Sequence, residues 1–382
     1  MAEALVNKST LAVKLESIYG LDPTIAVGDV IEAAGVPNLN NEFELKERTV
    51  VKNTFSTLES VRGSESASGE IPVEPKGSGT AGVAPDADAL FEAAIGIKTV
   101  TSASTTNATA ASATTVVELV AGGVAAMGIV VGDAIYLPTV GTGEVVWVIS
   151  IATDALTVSP ALSSAPGLGV AVGAGVHYKL SNAGLKSFWT EFWRGDITKE
   201  TYPGNTVESL ALNFSTGEIA TAVMSLQGQK ALAPVTEAYG LGTPVFDSTT
   251  PIVAVNMVLT VGGVSTPLSA LSLELANTLL RKMDMTTSGT QKILQTKRKL
   301  TGSFNLLYES KAIEDDFQAD TKSEIRIVGG SVAGNILAIR LPLVRYTATP
   351  KSDDSGTFKY DVAFEAVPSS VGDDELTSYS YL

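Results

Sequence analysis

The chain has 382 residues, of which 45% are hydrophobic and only 18% charged, and its 41 acidic and 26 basic side chains give a net charge of −15. This acidity disfavours a nucleic-acid-binding protein, because such proteins gain most of their affinity from Lys and Arg that neutralise phosphates. The sequence has no cysteine, which excludes disulfides and thiolate metal sites. With few charges, the surface must be built largely from Thr, Ser, Gly and Ala, and such a surface is easily buried against a neighbouring molecule.

The N-terminal segment MAEALVNKSTLAVKLESIYG lacks the basic stretch, apolar stretch and cleavage site of a signal peptide. The most apolar window, residues 116–131, is interrupted by Glu118 and by a Gly-Gly pair, and is shorter than the roughly 20 residues of a membrane span. We therefore expect assembly in a cytoplasm, no membrane partner, and β structure in this window.

Apolar and polar residues alternate with a period of two along the chain, and this pattern predicts antiparallel strands with one buried face. In chain order, the clearest strands are EFELK around Phe43 and Leu45, VESLALNF with Leu210, Leu212 and Phe214, LSLELA with Leu271, Leu273 and Leu275, GSFNLLY with Phe304, Leu306 and Tyr308, and FKYDVAFEAV with Phe358, Tyr360, Val362, Phe364 and Ala366. The sequence therefore predicts a mainly β fold.

Two short helices interrupt these strands. The segment DADALFEAAIG predicts a helix with Asp86 or Asp88 as its N-cap, an apolar stripe around Phe91, and Gly96 as its terminator. The segment SKAIEDDFQAD predicts a second helix around Phe317.

An internal duplication is indicated by the order of these elements. Each helix follows an alternating strand that begins with glycine, residues 69–73 in one case and 302–306 in the other. Further upstream lie the strands EFELKERT and LSLELANT, and downstream residues 217–234 and 333–350 occupy matching places. The alternative, that all-β domains simply reuse the same strand and turn patterns, stays open.

The first copy is interrupted by a long insertion that has no counterpart in the second. It begins with a Ser-, Thr- and Ala-rich run and continues with short Val-rich strands between Gly-containing turns. A long insertion in a loop costs little entropy of loop closure. The predicted architecture is a duplicated β-sandwich with short flanking helices, formed by residues 1–98 with 181–240 and by residues 241–382, with a small all-β barrel or sandwich inserted at residues 99–180.

Residue types that carry catalysis or bind cofactors are few. His177 is the single histidine and lies in the strand GAGVHYKL, where a strand histidine is a simpler interpretation than a metal ligand. Residues 77–82, GSGTAG, match the dinucleotide-binding pattern, but no βαβ unit follows, which favours a flexible loop. The acidic residues of the two helices lack the twelve-residue calcium loop with its closing Glu, and we interpret them as helix caps; they are Asp86, Asp88, Asp315 and Asp316. We predict a protein that is not an enzyme, with no catalytic residue, no cofactor and no metal.

Two segments are candidate contacts between subunits. Residues 46–68 predict a long polar loop that becomes ordered against a neighbouring subunit; its charged side chains are Lys46, Glu47, Arg48, Lys52, Glu59, Arg62 and Glu65. The compact basic cluster of Lys297, Arg298 and Lys299 predicts ion pairs with a neighbouring subunit, with a solvated strand face as the alternative.

Aromatic side chains are concentrated at residues 186–204, which include Trp189 and Trp193. Such a density indicates either a corner of the core, which we favour, or the anchor of an interface.

In the order of its segments, the chain resembles the major tail tube proteins of long-tailed, siphovirus-like bacteriophages. The resemblance is carried by the turn GVPNLNN, by ELKERTV with its polar loop, by SGEIPVEP before DADALFEAAIG, by the aromatic segment, by VESLALNFSTGEIATAVMSLQG, and by SALSLELANTLLRK before LTGSFNLLYES. It extends over the chain outside the insertion and includes no catalytic motif.

This resemblance implies a structural subunit of the virion tail that self-assembles into stacked rings and forms a hollow conduit for DNA delivery. Partners would be further copies of the chain, a tape-measure protein and a tail terminator, while DNA would pass through the lumen without specific binding. A duplicated chain would form a trimeric, pseudo-hexameric ring, whereas an unduplicated one would form a hexamer. The insertion would lie on the outer surface of the tube.

Three other classes of protein remain as alternatives. Another virion structural protein, such as a capsid, decoration or baseplate component, would share this composition. A β-rich carbohydrate-binding or adhesion module would require an exposed platform of Trp and Tyr. An enzyme would need a carboxylate site that the sequence does not reveal.

Overall fold

The computed structural model describes residues 5–53, 55–107, 112–255, 257–265, 267–283, 290–354, 356–369 and 375–382. These residues are mainly antiparallel strands, as predicted, with short helices between them. Among the helices of the residues described, none has the length and apolarity to cross a membrane.

The elements follow one another in four groups along the chain. Residues 5–101 contain short 3-10 turns at Val6–Lys8 and Val27–Asp29, and β1 (Thr10–Leu15), β2 (Val30–Ile31), β3 (Asn38–Lys46), β4 (Val61–Val73), α1 (Asp88–Ile95) and β5 (Gly96–Thr101). Residues 102–174 contain β6 (Ser104–Thr105), β7 (Val116–Glu118), α2 (Gly123–Met127), β8 (Ala134–Leu137), β9 (Glu144–Ala152), β10 (Ala155–Ser159) and β11 (Ala171–Val172). Residues 175–240 contain β12 (Gly175–Leu180), β13 (Phe188–Arg194), β14 (Thr198–Ser215), β15 (Thr221–Gly228) and β16 (Val235–Thr236). Residues 241–382 contain β17 (Val258–Val261), β18 (Val264–Ser265), β19 (Leu268–Met283), β20 (Thr290–Leu307), α3 (Ala312–Gln318), β21 (Ser323–Gly329), β22 (Leu337–Ala348), β23 (Lys351–Asp354), β24 (Thr357–Ala366) and β25 (Ser378–Tyr381).

The main core lies between two antiparallel layers. One layer contains β3, β4, β15 and the C-terminal half of β14, and continues through β19, β20 and β24. The other contains β1 and β13 with the N-terminal half of β14, and β17 and β21 with the N-terminal half of β22. Buried side chains of both layers, such as Phe192 on β13 and Phe304 on β20, belong to one contiguous cluster. The arrangement is a β-sandwich in which β14 and β22 each contribute to both sheets.

Alternation identifies the buried faces in most of the predicted strands. Tyr360, Val362 and Phe364 of β24 are at most 1% exposed, and the predicted leucine faces of β14 and β19 are buried as well. The prediction is wrong for Phe43, Leu45, Tyr308 and Phe358, which are 46%, 59%, 40% and 68% exposed. Phe43 and Leu45 lie at the far end of the β3–β4 hairpin, beyond the part of β4 that pairs with β15.

The helix α1 ends as predicted, because Gly96 has a φ of +135° and turns the chain into β5. Its predicted N-cap is wrong: Ala87 occupies that position, and no side chain caps the helix. Asp88 is instead the first helical residue, and its carboxylate accepts hydrogen bonds from Tyr178 Oη, at 2.8 Å, and from Lys98 Nζ. The predicted helix around Phe317 is α3, but Asp315 and Asp316 lie within it and do not cap it, since Lys311 occupies its N-cap position.

The inserted segment has a sheet and a core of its own. Strands β7, β10, β9 and β8 form a four-stranded antiparallel sheet over a separate cluster that includes Ile135 and Leu156. The apolar window contains β7, as predicted, but also the helix α2, which the sequence did not predict. At the ends of the insertion, β5 and β12 pair with each other, and β12 pairs with β25. The segment with its own core is therefore shorter than residues 99–180.

Trp147 on β9 joins this small core to the main sandwich. Its side chain is 1% exposed, packs in a cluster with Ile336 and Ala338, and donates from Nε1 to Ser378 Oγ at 3.1 Å. The insertion therefore packs against β22 and β25.

Candidate self-assembly surface

Two sets of strands share one pairing pattern. In the first strand set, β1 pairs with β13, β13 with β14, β14 with β15, β15 with β4, and β4 with β3. In the second strand set, β17 pairs with β21, β21 with β22, β22 and its continuation β23 with β24, β24 with β20, and β20 with β19. All these pairs are antiparallel, and each set has a helix after its hairpin, α1 after β4 and α3 after β20. The connectivity of the sandwich is thus repeated within one chain.

Irregularities in the ladders fall at equivalent places in the two sets. The ladder of β14 on β15 shifts between Val207 and Ser209, and that of β22 on β24 shifts between Tyr346 and Ala348. Such bulges are specific features of a strand, so they align the sets residue by residue. Residues 337–354 are thereby equivalent to β14, and β24 is equivalent to β15. The expected match of residues 217–234 with residues 333–350 is therefore wrong.

Among the described residues, the two strand sets meet at one ladder, β14 on β19, which we call the internal joint. It runs from the pair Ser209–Ala276 to the pair Ser215–Ala270. Since residues 209–213 of β14 also pair with β15, the strand β19 must lie on the opposite edge of β14. Leucines from both strands of the joint are buried in the main core, so the core continues from one set into the other.

Both halves of an equivalent joint are present elsewhere in the chain, and each has one edge that pairs with no strand of the described residues. The strand β3 is equivalent to β19, and residues 348–354 are equivalent to the part of β14 that receives β19. Within the described part of the chain, β3 pairs with β4 alone and residues 348–354 pair with β24 alone. Open edges of this kind are templates for pairing with another chain.

The predicted polar loop is shorter than expected, because β4 begins at Val61 rather than after residue 68. Lys46 ends β3 and contacts Glu44, while Arg62 and Glu65 lie on β4 and form an ion pair at 3.1 Å. The remaining predicted residues, Glu47, Arg48, Lys52 and Glu59, lie in the connecting loop at residues 47–60, of which Thr54 is outside the described residues.

Apolar side chains at the tip of this loop were missed by the sequence interpretation. Val51 and Phe55 are fully exposed, and Val50 is 55% exposed. In the sequence, this apolar tip is indicated by a Val-Val pair and a Phe within an otherwise polar segment. Exposed apolar groups clustered at a loop tip are typical of a contact site.

The predicted basic cluster finds partners within the chain. The Arg298 guanidinium lies 3.3 Å from Glu375 and donates to the Ser181 carbonyl at 3.0 Å, and Lys299 lies 3.0 Å from Glu365. These two cations are thus paired within the chain, whereas Lys297 is exposed on β20.

The aromatic segment forms a corner of the core, as favoured. Its members are at most 5% exposed and are Phe188, Trp189, Phe192 and Trp193.

The glycine-rich segment at residues 77–82 is a loop, as interpreted, and hydrogen bonds hold it against residues 334–335. Gly77 N donates to Asn335 Oδ1 at 2.7 Å, and Gly79 N donates to the Gly334 carbonyl at 3.0 Å. A Cβ on Gly77 would collide with the Gly334 carbonyl, which explains the glycine there. The segment ties the two strand sets together.

His177 is a buried strand residue, as interpreted. It is 0% exposed, and its ring nitrogens lie 3.2 Å from Thr101 Oγ1 and 2.9 Å from Ser380 Oγ. Burial lowers the pKa of His177 to about 4, against the opposing attraction of Asp133. Over the described ranges, no group of three or more His, Asp or Glu side chains is placed to hold a metal ion.

Acid is therefore expected to destabilise the fold through His177. Between pH 6.5 and about 4 the unfolded chain binds a proton that the folded chain does not, so the free energy of unfolding falls as the pH drops. The loss approaches about 3 kcal/mol near pH 4. Urea denaturation of the wild type and of His177→Gln at several pH values measures this, and identical pH dependence in the two proteins would contradict it.

A repeated β-sandwich with open strand edges is typical of structural proteins that assemble through their sheets. The chain belongs to a phage tail tube protein family, whose model matches residues 6–366. It is thus a structural component of a phage virion, in the tail tube, and the resemblance seen in the sequence is confirmed. A search of curated proteins found no match.

Proposed function

We propose that the chain self-assembles in the host cytoplasm into rings that stack into a hollow conduit for DNA. Its two strand sets would be two tube domains, made by residues 1–98 with 181–240 and by residues 241–382, with the insertion, which lies within residues 99–180, on the outer surface. The carrying observation is the internal joint, because the same chain presents both halves of a second, equivalent joint. A contact that joins unlike halves head to tail generates rings when its rotation closes. In the six-unit ring that the resemblance implies, three chains suffice, which favours the trimer over the hexamer.

The channel wall would be the sheet face that points away from the main core. On β14, β19, β20 and β24 this face alternates with the buried leucines and aromatics. Its side chains are short polar groups, acids and lysines; they include Ser209, Asn213, Ser272, Glu274, Lys297, Lys299, Ser303, Asn305, Lys359, Asp361 and Glu365. Lys299 lies 3.0 Å from Glu365 and Lys359 lies 4.0 Å from Asp361, so carboxylates beside these cations would weaken their attraction for phosphates and let DNA slide.

Stacking of rings would use the ends of the long hairpins. The distal half of the β19–β20 hairpin carries Arg281, Lys282 and Lys292, whereas the opposite end of β20 leads into the acidic helix α3. Opposite charges at the two ends of one unit favour head-to-tail stacking. The loop at residues 47–60 lies at the end of the equivalent β3–β4 hairpin and would contact the next ring. A tape-measure protein inside the tube and a terminator at its end are the further partners that the resemblance implies.

Negative-stain electron microscopy of the concentrated protein tests this proposal. We expect rings and hollow tubes, with six similar units in the wall and three projections at the rim from the insertion. Uniform monomers at high concentration would contradict self-assembly.

A further inference from the structure

We infer that β3 of one chain pairs antiparallel with residues 348–354 of a second copy, in the register that β19 takes on β14. This inference rests on the proposed function and specifies the contact that joins the chains within a ring.

The position of β3, the strand that one chain would contribute, follows from two equivalent glycines. Gly69 on β4 faces Leu39 on β3, and Gly302 on β20 faces Leu273 on β19. A Cβ on Gly302 would lie 2.6 Å from the Ser272 carbonyl oxygen, and a Cβ on Gly69 would lie even closer to the carbonyl of Asn38. The same close approach occurs one residue before each leucine, so Leu39 is equivalent to Leu273.

The position of residues 348–354, the edge that would receive β3, follows from the shared bulge, which makes Ala348 equivalent to Ser209. In the internal joint Ser209 pairs with Ala276, the third residue after Leu273. The third residue after Leu39 is Glu42. Ala348 of one chain is therefore placed opposite Glu42 of the next.

The backbone of the acceptor edge is suited to receive a strand. The Pro350 carbonyl accepts a hydrogen bond from Asp361 N at 2.9 Å, so Pro350 directs its backbone groups toward β24. In an antiparallel strand the adjacent residues direct theirs to the other side, and here these are Thr349 and Lys351. The missing N–H of proline therefore costs no hydrogen bond on the open edge.

The residues of this edge also differ from those of the internal joint in an informative way. At the places of Ala211 and Leu212 in β14, the open edge has Pro350 and Lys351. Proline and lysine are the residues that keep exposed edges from pairing indiscriminately. The edge of β14 is covered by β19 and needs no such protection. The edge at residues 348–354 is exposed until a second copy binds, so it requires residues that prevent other pairings.

The occupant is a second copy because one chain supplies both complementary halves. The carbonyl of Leu39 accepts a hydrogen bond from Tyr202 Oη at 3.2 Å, and a carbonyl has a second lone pair for a strand partner. Each chain would donate β3 to one neighbour and receive β3 from the other. The contact is thus heterologous and is satisfied throughout only in a closed ring.

Disulfide trapping tests the register, since the chain has no cysteine of its own. Residues directly opposite in an antiparallel pair have Cα atoms about 4.5–5.5 Å apart, within reach of a disulfide. We expect mild oxidation of the assembled variant A348C/E42C to link chains into covalent oligomers that end at three on a non-reducing gel. The pair T349C/N41C, one step along the same register, should behave alike if the first variant folds poorly.

Two matched variants serve as controls. S209C/A276C places the same pair in the internal joint and should link within one chain, leaving a monomer without free thiols. A348C/N38C is four residues out of register and should link far less. Tubes from A348C/E42C and T349C/N41C that remain unlinked, while S209C/A276C links, would overturn the inferred register and leave the proposed function standing. Absence of rings and tubes from the wild type would overturn both.

Discussion

Replacing residues 47–60 with a short Gly-Ser linker is expected to leave rings intact and to abolish their stacking into tubes. The loop lies beyond the paired part of the β3–β4 hairpin, so the ladder and the core beneath it do not depend on it. What the replacement removes is the exposed apolar tip with Val51 and Phe55. Burying a Val or Phe side chain contributes about 1.5–3 kcal/mol, and each ring would lose this at every loop. Electron microscopy should show single rings instead of tubes.

A smaller change separates the apolar tip from the rest of the loop. The double variant V51S/F55S should also stop stacking, whereas Leu168→Ser, which changes an exposed apolar residue of the insertion, should give normal tubes. Tubes of ordinary length from the loop replacement would show that stacking depends on other surfaces.

Replacing Gly302 with alanine is expected to lower the free energy of unfolding by about 3 kcal/mol. The added Cβ would lie 2.5 Å from Phe364 Cζ and 2.6 Å from the Ser272 carbonyl oxygen. Neither can move easily, because Phe364 is buried in the core and Ser272 belongs to the β19–β20 ladder. Urea denaturation, followed by far-ultraviolet circular dichroism, measures the change.

Because the two strand sets are equivalent, the same loss of stability is expected at the glycine of the first set. Gly69→Ala should destabilise by a similar amount, since its Cβ would lie 2.9 Å from Leu39 Cα. Gly28→Ala is the control, because no described residue beyond its chain neighbours comes within 4 Å of its Cβ, and it should change stability by less than about 0.5 kcal/mol. Wild-type stability in both Gly302→Ala and Gly69→Ala would contradict the close approach of the hairpin strands.

The sequence by itself determined the longer strands, most of their buried faces and the C-terminal end of the first helix. Alternation places Leu210, Leu212 and Phe214 on one side of any extended chain, whatever surrounds it. Gly96 ends α1 because its positive φ is accessible to glycine at little cost. These features depend on local geometry, which neighbouring residues in the chain decide.

Only the tertiary structure decided which faces are covered and which edges are open. Phe43 and Leu45 alternate like core residues, yet they are exposed, since their end of the hairpin extends beyond the part of β4 that pairs with β15. Asp88 could cap a helix, but Tyr178 and Lys98, brought near by β12 and β5, engage its carboxylate. The internal joint pairs strands distant in the chain, and its register is visible only in the ladders. Burial, competition for hydrogen bonds and strand pairing depend on residues remote in sequence, whose positions alternation does not specify.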